Sequence, residues 1–226
     1  MCLIFFSINN HPTYKLIVAG NRDEFYGRKT AAASYWTDHQ EILGGRDLEA
    51  GGTWLAMNKN GRISFITNYR DPKHIDPKAP SRGKLVSDFV MGKEKPYDYL
   101  KNIEADAKAY NGFNLVVGDI NSFAYLSNYG EGTEKLKSGF YGLSNHLLDT
   151  PWPKVTEGKK KLTPILAQER IDPNEVFDLL HNESMADDSK LPSTGVPLEL
   201  ERALSAMFIK TPNYGSRCST VVLIDQ

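Results

Sequence analysis

Seven residues near the start of the chain, Cys2 to Ile8 (Cys-Leu-Ile-Phe-Phe-Ser-Ile), are apolar at almost every position and not merely at every second one. A strand with one wet face alternates in polarity, whereas a strand apolar on both parities must be covered on both faces. The run ends in Asn9-Asn10-His11-Pro12-Thr13-Tyr14, which is turn chemistry, and Lys15 to Gly20 is a second apolar run. The two predict a β-hairpin that begins inside a core. The apolar start is too short for a bilayer-spanning helix of about 20 residues. It also lacks the basic head of a secretory signal, so it reads as a strand and not as a leader.

Further runs repeat the theme. Thr53–Asn58 and Arg62–Thr67 flank Lys59-Asn60-Gly61, and Asn-Gly between such runs is a strong hairpin signal. Pro72, Pro77 and Pro80 make the segment from Tyr69 to Pro80 a loop. Helical spacing appears in Lys84–Met91 (Leu85, Val86, Phe89, Val90) and in Tyr97–Tyr110. Strands are predicted at Asn114–Asp119, Phe123–Asn128, Phe140–Ser144 and Arg217–Ile224. Lys154–Gln168 reads as a helix that Pro164 should kink or split. Asp172-Pro173-Asn174-Glu175 opens another helix, with an acceptor at the cap and Pro at the first position. Asn182–Pro197 is loop-like, and Leu198–Phe208 is again helical.

Many antiparallel strands with segregated helices predict an α+β layered domain, with two stacked sheets as a natural way to cover strands that are apolar on both faces. No repeat or linker interrupts the 226 residues, so a single domain spanning 1–226 is expected. With 40% hydrophobic and 24% charged residues the chain is neither disordered nor a coiled coil. A net charge of -1 leaves no electrostatic footprint for nucleic acid or an anionic membrane. Two cysteines are too few for a disulfide scaffold or zinc cluster, and the five histidines show no metal spacing. A cytoplasmic protein with no integral membrane association, no resident metal and no required cofactor is expected.

Cys2 is the residue with the most distinctive chemistry. If Met1 is removed, Cys2 carries a thiol and a free α-amine whose ordinary pKa is about 7.7–8.0, so nucleophile and base share one residue. The other reading is an ordinary buried thiol. In an antiparallel hairpin the end of the second strand lies beside Cys2, and the residues there are Asn21-Arg22-Asp23-Glu24. Arg22 can lower the thiol pKa, and Asp23 can bind the α-amine or orient Arg22. The same four residues also read as a solvated turn with an internal ion pair. Asn68 and Asn114 fit a structural hydrogen-bond network as well as they fit a site. Trp54 and Trp152 read as core or pocket wall, Gly51-Gly52 as a turn, and the basic run Lys159-Lys160-Lys161 as a solvated face.

Blocks along nearly the whole chain carry a resemblance. They are Met1-Cys2-Leu3-Ile4-Phe5-Phe6, Asn21-Arg22-Asp23-Glu24-Phe25, Gly51-Gly52-Thr53-Trp54 and Thr67-Asn68-Tyr69, then Tyr110-Asn111-Gly112-Phe113-Asn114-Leu115, Tyr141-Gly142-Leu143-Ser144-Asn145, Thr150-Pro151-Trp152 and Tyr214-Gly215-Ser216-Arg217. Together they resemble the NRDE family. That family in turn looks like the cysteine-type N-terminal nucleophile hydrolases, such as penicillin V acylases and bile salt hydrolases. The resemblance implies a four-layer αββα sandwich of two antiparallel sheets. It implies Cys2 as nucleophile, Arg22 beside it, Asp23 on the amine with Glu24 as a substitute, Asn145 as oxyanion donor and Arg217 as a second cation. The implied activity is cleavage of an amide or thioester in a small acyl compound. The family's links to haem and acyl-CoA or lipid handling imply an alternative, a non-catalytic carrier. In it Arg22 and Arg217 grip a propionate or phosphate, Trp54, Tyr69 and Trp152 form an apolar wall, and Asn21, Glu24, Asn68 and Asn114 line the same pocket. Relatives often continue with another strand past the position of Gln226, which leaves a bare sheet edge or one covered by a partner chain.

Overall fold

The computed structural model describes residues 2–226. The chain gathers into two compact units with interleaved segments. The first comprises the residues up to Gly27, Arg70–Lys73 and Lys137–Gln226, and the second Arg28–Tyr69 and His74–Leu136.

The first unit is built on strands β1 (Cys2–Ile8) and β2 (Tyr14–Phe25). Strand β2 is twice as long as its apolar run, because Asn21-Arg22-Asp23-Glu24 continues it. The reading of these four residues as a solvated turn is thereby corrected. They keep extended pairing on both sides, with Leu3↔Asn21 and Cys2↔Arg22 toward β1 and Ser216↔Asp23 toward the last strand. Backbone bonding in a sheet interior holds polar side chains in register as firmly as apolar ones.

The complete four-stranded sheet has the order β10-β1-β2-β11, where β10 is Gly139–Leu143 and β11 is Tyr214–Asp225. One face carries helices α3 (Pro153–Ile165) and α4 (Pro173–Leu180). Leu3, Phe5, Ile17 and Ala19 pack there with Val155, Leu162, Val176 and Leu180. Gly158 lets α3 sit this close, since a β-carbon at that position would collide with the Phe5 ring. Pro164 does not split α3. It falls in the last turn, one residue before the helix ends. The cap of α4 is the expected one, with Asp172 Oδ1 accepting the Asn174 N–H at 2.9 Å. A shorter helix, α5 (Leu198–Ser205), follows the loop after α4.

The second unit is a seven-stranded antiparallel meander in sequence order, β3 (Thr30–Tyr35), β4 (Ile42–Asp47), β5 (Leu55–Asn58), β6 (Ile63–Asn68), β7 (Phe113–Gly118), β8 (Phe123–Ser127) and β9 (Glu134–Leu136). Helices α1 (Gly83–Met91) and α2 (Pro96–Asp106) cover it, around Leu85, Phe89, Leu100, Phe113, Leu115 and Leu126. Among the described residues no helix is long and apolar enough to cross a membrane.

Candidate functional site

The site grows from the end of the β1–β2 ribbon. Cys2 is 7% exposed and stands directly across from Arg22. On the other side of β1, the pairing with β10 ends at Ile4↔Leu143, and Ser144 and Asn145 follow directly in the chain. Ser144 Oγ donates to the Cys2 carbonyl at 3.3 Å and to Asn145 Oδ1 at 3.3 Å, which fixes the fully buried amide beside the start of the chain. The sequence-predicted Cys2, Arg22, Asp23 and Asn145 are thus brought together by the β1–β2 pairing and by the Ser144 hydroxyl.

Asp23 is 1% exposed. Ser216 Oγ donates to its Oδ1 at 2.6 Å, and Ser216 in turn accepts the Ile209 N–H at 3.0 Å. The Asp23 backbone N–H hydrogen-bonds the Cys2 sulfur. Burial pushes the Asp23 carboxyl above its ordinary range, against the pull of Lys154 and Arg22. Burial also pushes the Cys2 thiol up to about 11, although the Asp23 N–H and the Arg22 guanidinium act the other way. The resting thiol is therefore neutral at physiological pH, and attack requires a group to take its proton.

Two cations and an acid that sequence reasoning did not single out complete the cluster. Arg70 Nη1 and Glu201 Oε2 form an ion pair at 2.7 Å with side chains 6% and 4% exposed. The Arg70 guanidinium stacks 4.7 Å over the Trp152 ring, and its backbone N–H donates to the Asn145 carbonyl at 2.8 Å. Lys154 is 3% exposed, its Nζ has no hydrogen-bond partner among the described residues, and burial lowers its pKa to about 8. Lys154 was legible in principle. Lys154, Gly158 and Leu162 repeat at i, i+4 and i+8, which places the lysine on the buried stripe of α3. Arg70 and Glu201 are 131 residues apart and carry no local signal.

The remaining predicted residues have partners of their own. Asn21 is fully buried, but its amide donates to the Leu180 and Met207 carbonyls at 2.7 and 2.8 Å and accepts from Ser219 at 2.7 Å, so it ties α4 to the sheet. Glu24 pairs with Arg22 at 3.6 Å and accepts the Phe25 N–H. Arg217 sits on a β-bulge between Ser216 and Cys218, with Nη1 donating to the Phe25 carbonyl at 2.8 Å. Trp152 is buried beneath Arg70. Trp54, Asn68, Tyr69 and Asn114 belong to the second unit. There Asn114 bridges Thr67 Oγ1 at 3.1 Å and the Tyr125 hydroxyl at 2.8 Å, and Tyr69 stacks on Tyr129 at 4.0 Å. The removal of Met1 concerns a residue outside those described. Among the described residues no group of three or more His, Cys, Asp or Glu side chains is placed to hold a metal ion.

The arrangement is a thiol at a sheet end, a backbone donor on its sulfur, a cation across the ribbon, and buried acid and base groups behind it. Its fold is that of the N-terminal nucleophile hydrolases. A Caenorhabditis elegans N-acylethanolamine-hydrolyzing acid amidase ortholog matches it with a TM-score of 0.53 over 79% of this chain and 85% of its own, at 11% identity. That identity speaks for the fold alone. The sequence relationship is closer elsewhere. The family model Transport and Golgi organisation 2 matches residues 1–226, and the chain belongs to this family, the one its NRDE blocks indicate. The human Transport and Golgi organization protein 2 homolog is 36% identical over 250 residues, covering all of this chain and 89% of its own length. The mouse homolog is 35% identical with the same coverage, and the Drosophila melanogaster protein is 32% identical over 257 residues.

Proposed function

We propose that the protein is a cysteine hydrolase of the N-terminal nucleophile type, cleaving an amide or thioester of a small acyl compound with Cys2 as nucleophile. The observation that carries this reading is the convergence of Cys2, Arg22, Asp23 and Asn145 at one sheet end, through the β1–β2 register and the Ser144 hydrogen bonds. Packing alone gives no reason to bury so many polar groups together. In this reading the Cys2 thiolate attacks the carbonyl carbon and the carbonyl pair moves onto oxygen. Asn145, with backbone amides, stabilises that oxyanion, where a single donor is worth about 10²–10³ in rate. Arg22 favours the thiolate, and Arg217 is the second cation at the mouth of the ribbon. Asp23 holds the α-amine when Cys2 heads the chain, with Glu24 as its substitute. The leaving amine or thiol takes a proton, and water then releases the acyl group.

The test is a panel of amides, acyl-homoserine lactones and acyl-CoA thioesters with the wild type, Cys2→Ala and Cys2→Ser. Activity is expected in the wild type and lost in Cys2→Ala; survival in Cys2→Ala would overturn the reading.

The neutral, enclosed thiol supports a second reading, a carrier for acyl-CoA, lipid or haem in which Arg22 and Arg217 grip an anionic group and Trp152 contacts the apolar part. Calorimetry with acyl-CoA and absorbance on haem titration distinguish it: the carrier binds without turnover, and Cys2→Ala leaves the acyl-CoA affinity intact. A cytoplasmic location belongs to both readings.

A further inference from the structure

Asn145 stands on the segment 144–152, which runs from the end of β10 to the start of α3 without regular structure. Irregular backbone holds a side chain accurately only where other groups tie it down, and an error of about 1 Å at a reacting centre can cost about 10²-fold in rate. Inside the segment the ties are local. Thr150 Oγ1 donates to the Leu147 carbonyl at 2.8 Å, His146 Nδ1 meets Thr150 Oγ1 at 2.9 Å, and the Asp149 N–H reaches back to the Gly142 carbonyl at 2.8 Å. Arg70 joins the two ends. Its backbone N–H donates to the Asn145 carbonyl at 2.8 Å, and its guanidinium lies 4.7 Å over the Trp152 ring. One residue thus spans the segment from Asn145 to Trp152.

A long side chain keeps one position only if its own partners are fixed. Arg70 Nη1 pairs with Glu201 Oε2 at 2.7 Å, and both side chains are buried. Glu201 stands on α5, and its other oxygen, Oε1, accepts the Thr194 N–H at 2.9 Å and the Thr194 hydroxyl. The carboxylate therefore spends one oxygen on Arg70 and the other on the loop before α5. Removing such a pair from water costs as much as it returns, and apolar residues of similar size would hold a core at least as well. What the pair supplies in addition is direction, because each bond fixes the next. Arg202 on the same helix offers the contrast: its pair with Asp188 at 2.6 Å lies in solvent.

We infer that Arg70 and Glu201 are positioning residues for Asn145: they clamp the segment 144–152 so that the Asn145 amide stays where the tetrahedral oxyanion forms, and Thr194 locks the clamp from the loop before α5. The inference rests on the nucleophile reading above, in which Asn145 stabilises that oxyanion. Arg70 and Glu201 touch no reacting atom in this assignment and act only through Asn145. Loosening the clamp therefore slows the steps that build an oxyanion. A reaction of the same thiol that builds none is left alone.

The experiment compares two reactions of Cys2 in a Cys218→Ser background, followed by intact mass and peptide mapping. In acetylation by p-nitrophenyl acetate the sulfur–carbon bond forms through a tetrahedral oxyanion, p-nitrophenolate then leaves with its bonding pair, and the thiol proton passes to the buffer. Alkylation by iodoacetamide displaces iodide at a saturated carbon and forms no oxyanion. The parent, Glu201→Gln, Thr194→Val and Arg202→Ala are compared at a temperature where circular dichroism shows each one folded. Glu201→Gln should slow acetylation roughly tenfold or more and Thr194→Val about threefold, while alkylation stays within about twofold of the parent. Arg202→Ala should change neither rate. Unchanged acetylation in Glu201→Gln, an equal fall in both reactions, or the same acetylation loss in Arg202→Ala would each overturn the inference. If Glu201→Gln does not fold, Thr194→Val decides, and acetylation at the parent's rate refutes the inference. Failure of the parent to take an acetyl group on Cys2 would instead remove the nucleophile reading, so the two failures are told apart.

Discussion

The two units bury polar side chains in different ways. In the seven-stranded unit, such groups are tied mostly to backbone. Asn58 Nδ2 donates to the Val90 carbonyl at 2.7 Å, and Arg62 donates from Nε to Phe89 and from Nη1 to Glu94 at 3.0 and 2.8 Å. Arg62 also lies 3.9 Å over the Phe89 ring. These bonds fasten α1 and the segment after it to the sheet, and they explain why the residues are there. In the four-stranded unit, Arg70 and Glu201 pair with each other, Ser216 donates to Asp23, and the Lys154 ammonium and the Cys2 thiol are buried in the same unit. Such a cluster sacrifices stability that an apolar core would supply, which is the pattern expected where chemistry sets the residues. The contrast teaches that burial alone does not mark a site; what the buried groups bond to does.

The sharpest way to break the contrast is kinetic. Cys2→Ala should lower hydrolysis of the best acyl substrate by at least about 10³-fold. Asn58→Ala in the other unit should leave turnover per folded molecule unchanged, measured at a temperature where both variants are folded.

Next in size is the ion pair. Glu201→Gln leaves Arg70 charged and buried without its carboxylate, and denaturant unfolding should show a loss of roughly 3–5 kcal/mol.

The pair Lys154→Met and Arg62→Met should move stability in opposite directions. Lys154 titrates near 8 in the fold against 10.5 as its ordinary value. Between those values the unfolded chain binds the proton and the folded chain does not. The penalty is therefore complete below about pH 8, and stability recovers as pH rises from 8 toward 10.5. Lys154→Met should gain on the order of 1–3 kcal/mol at pH 7 and flatten that rise. Arg62→Met should lose about 1–3 kcal/mol, because it strips two carbonyls of their charged donor. Urea unfolding at pH 7 and pH 9.5 checks both.

The smallest effect separates a network from a binding residue. Asn114→Ala removes the partner of Thr67 and of the Tyr125 hydroxyl and should lower stability by about 1–2 kcal/mol. The alkylation rate of Cys2 should not change.

Much of this contrast was legible in the sequence, and the exceptions have physical causes. The apolar strands β1, β6, β7 and β8 and the helices α1, α2 and α4 declare themselves by period. Strands β3 and β4 do not. Ala31-Ala32-Ala33-Ser34 is small and exposed, and Gly44-Gly45 interrupts the next run, so pairing with neighbours and not side-chain pattern makes them strands. Strand β9 is short and charged, Glu134–Leu136, and gives no signal at all. Asn21 to Glu24 read as a turn because polar residues rarely continue a covered strand, and it is the pairing on both sides that holds them extended. At the site, Cys2 and Arg22 follow from a hairpin, and Asn145 follows from the family blocks. Lys154 was obscured by the neighbouring Lys159-Lys160-Lys161 run, which draws attention to the wet face of the same helix. Arg70 and Glu201 meet only through tertiary folding.

The most direct measurement is the intact mass of the protein during turnover of an acyl-CoA or activated acyl ester, quenched in acid and mapped by peptide. The account predicts one acyl group on Cys2 in the wild type and none in Cys2→Ala. Turnover with no adduct on Cys2, or an adduct on another residue that persists in Cys2→Ala, would contradict it.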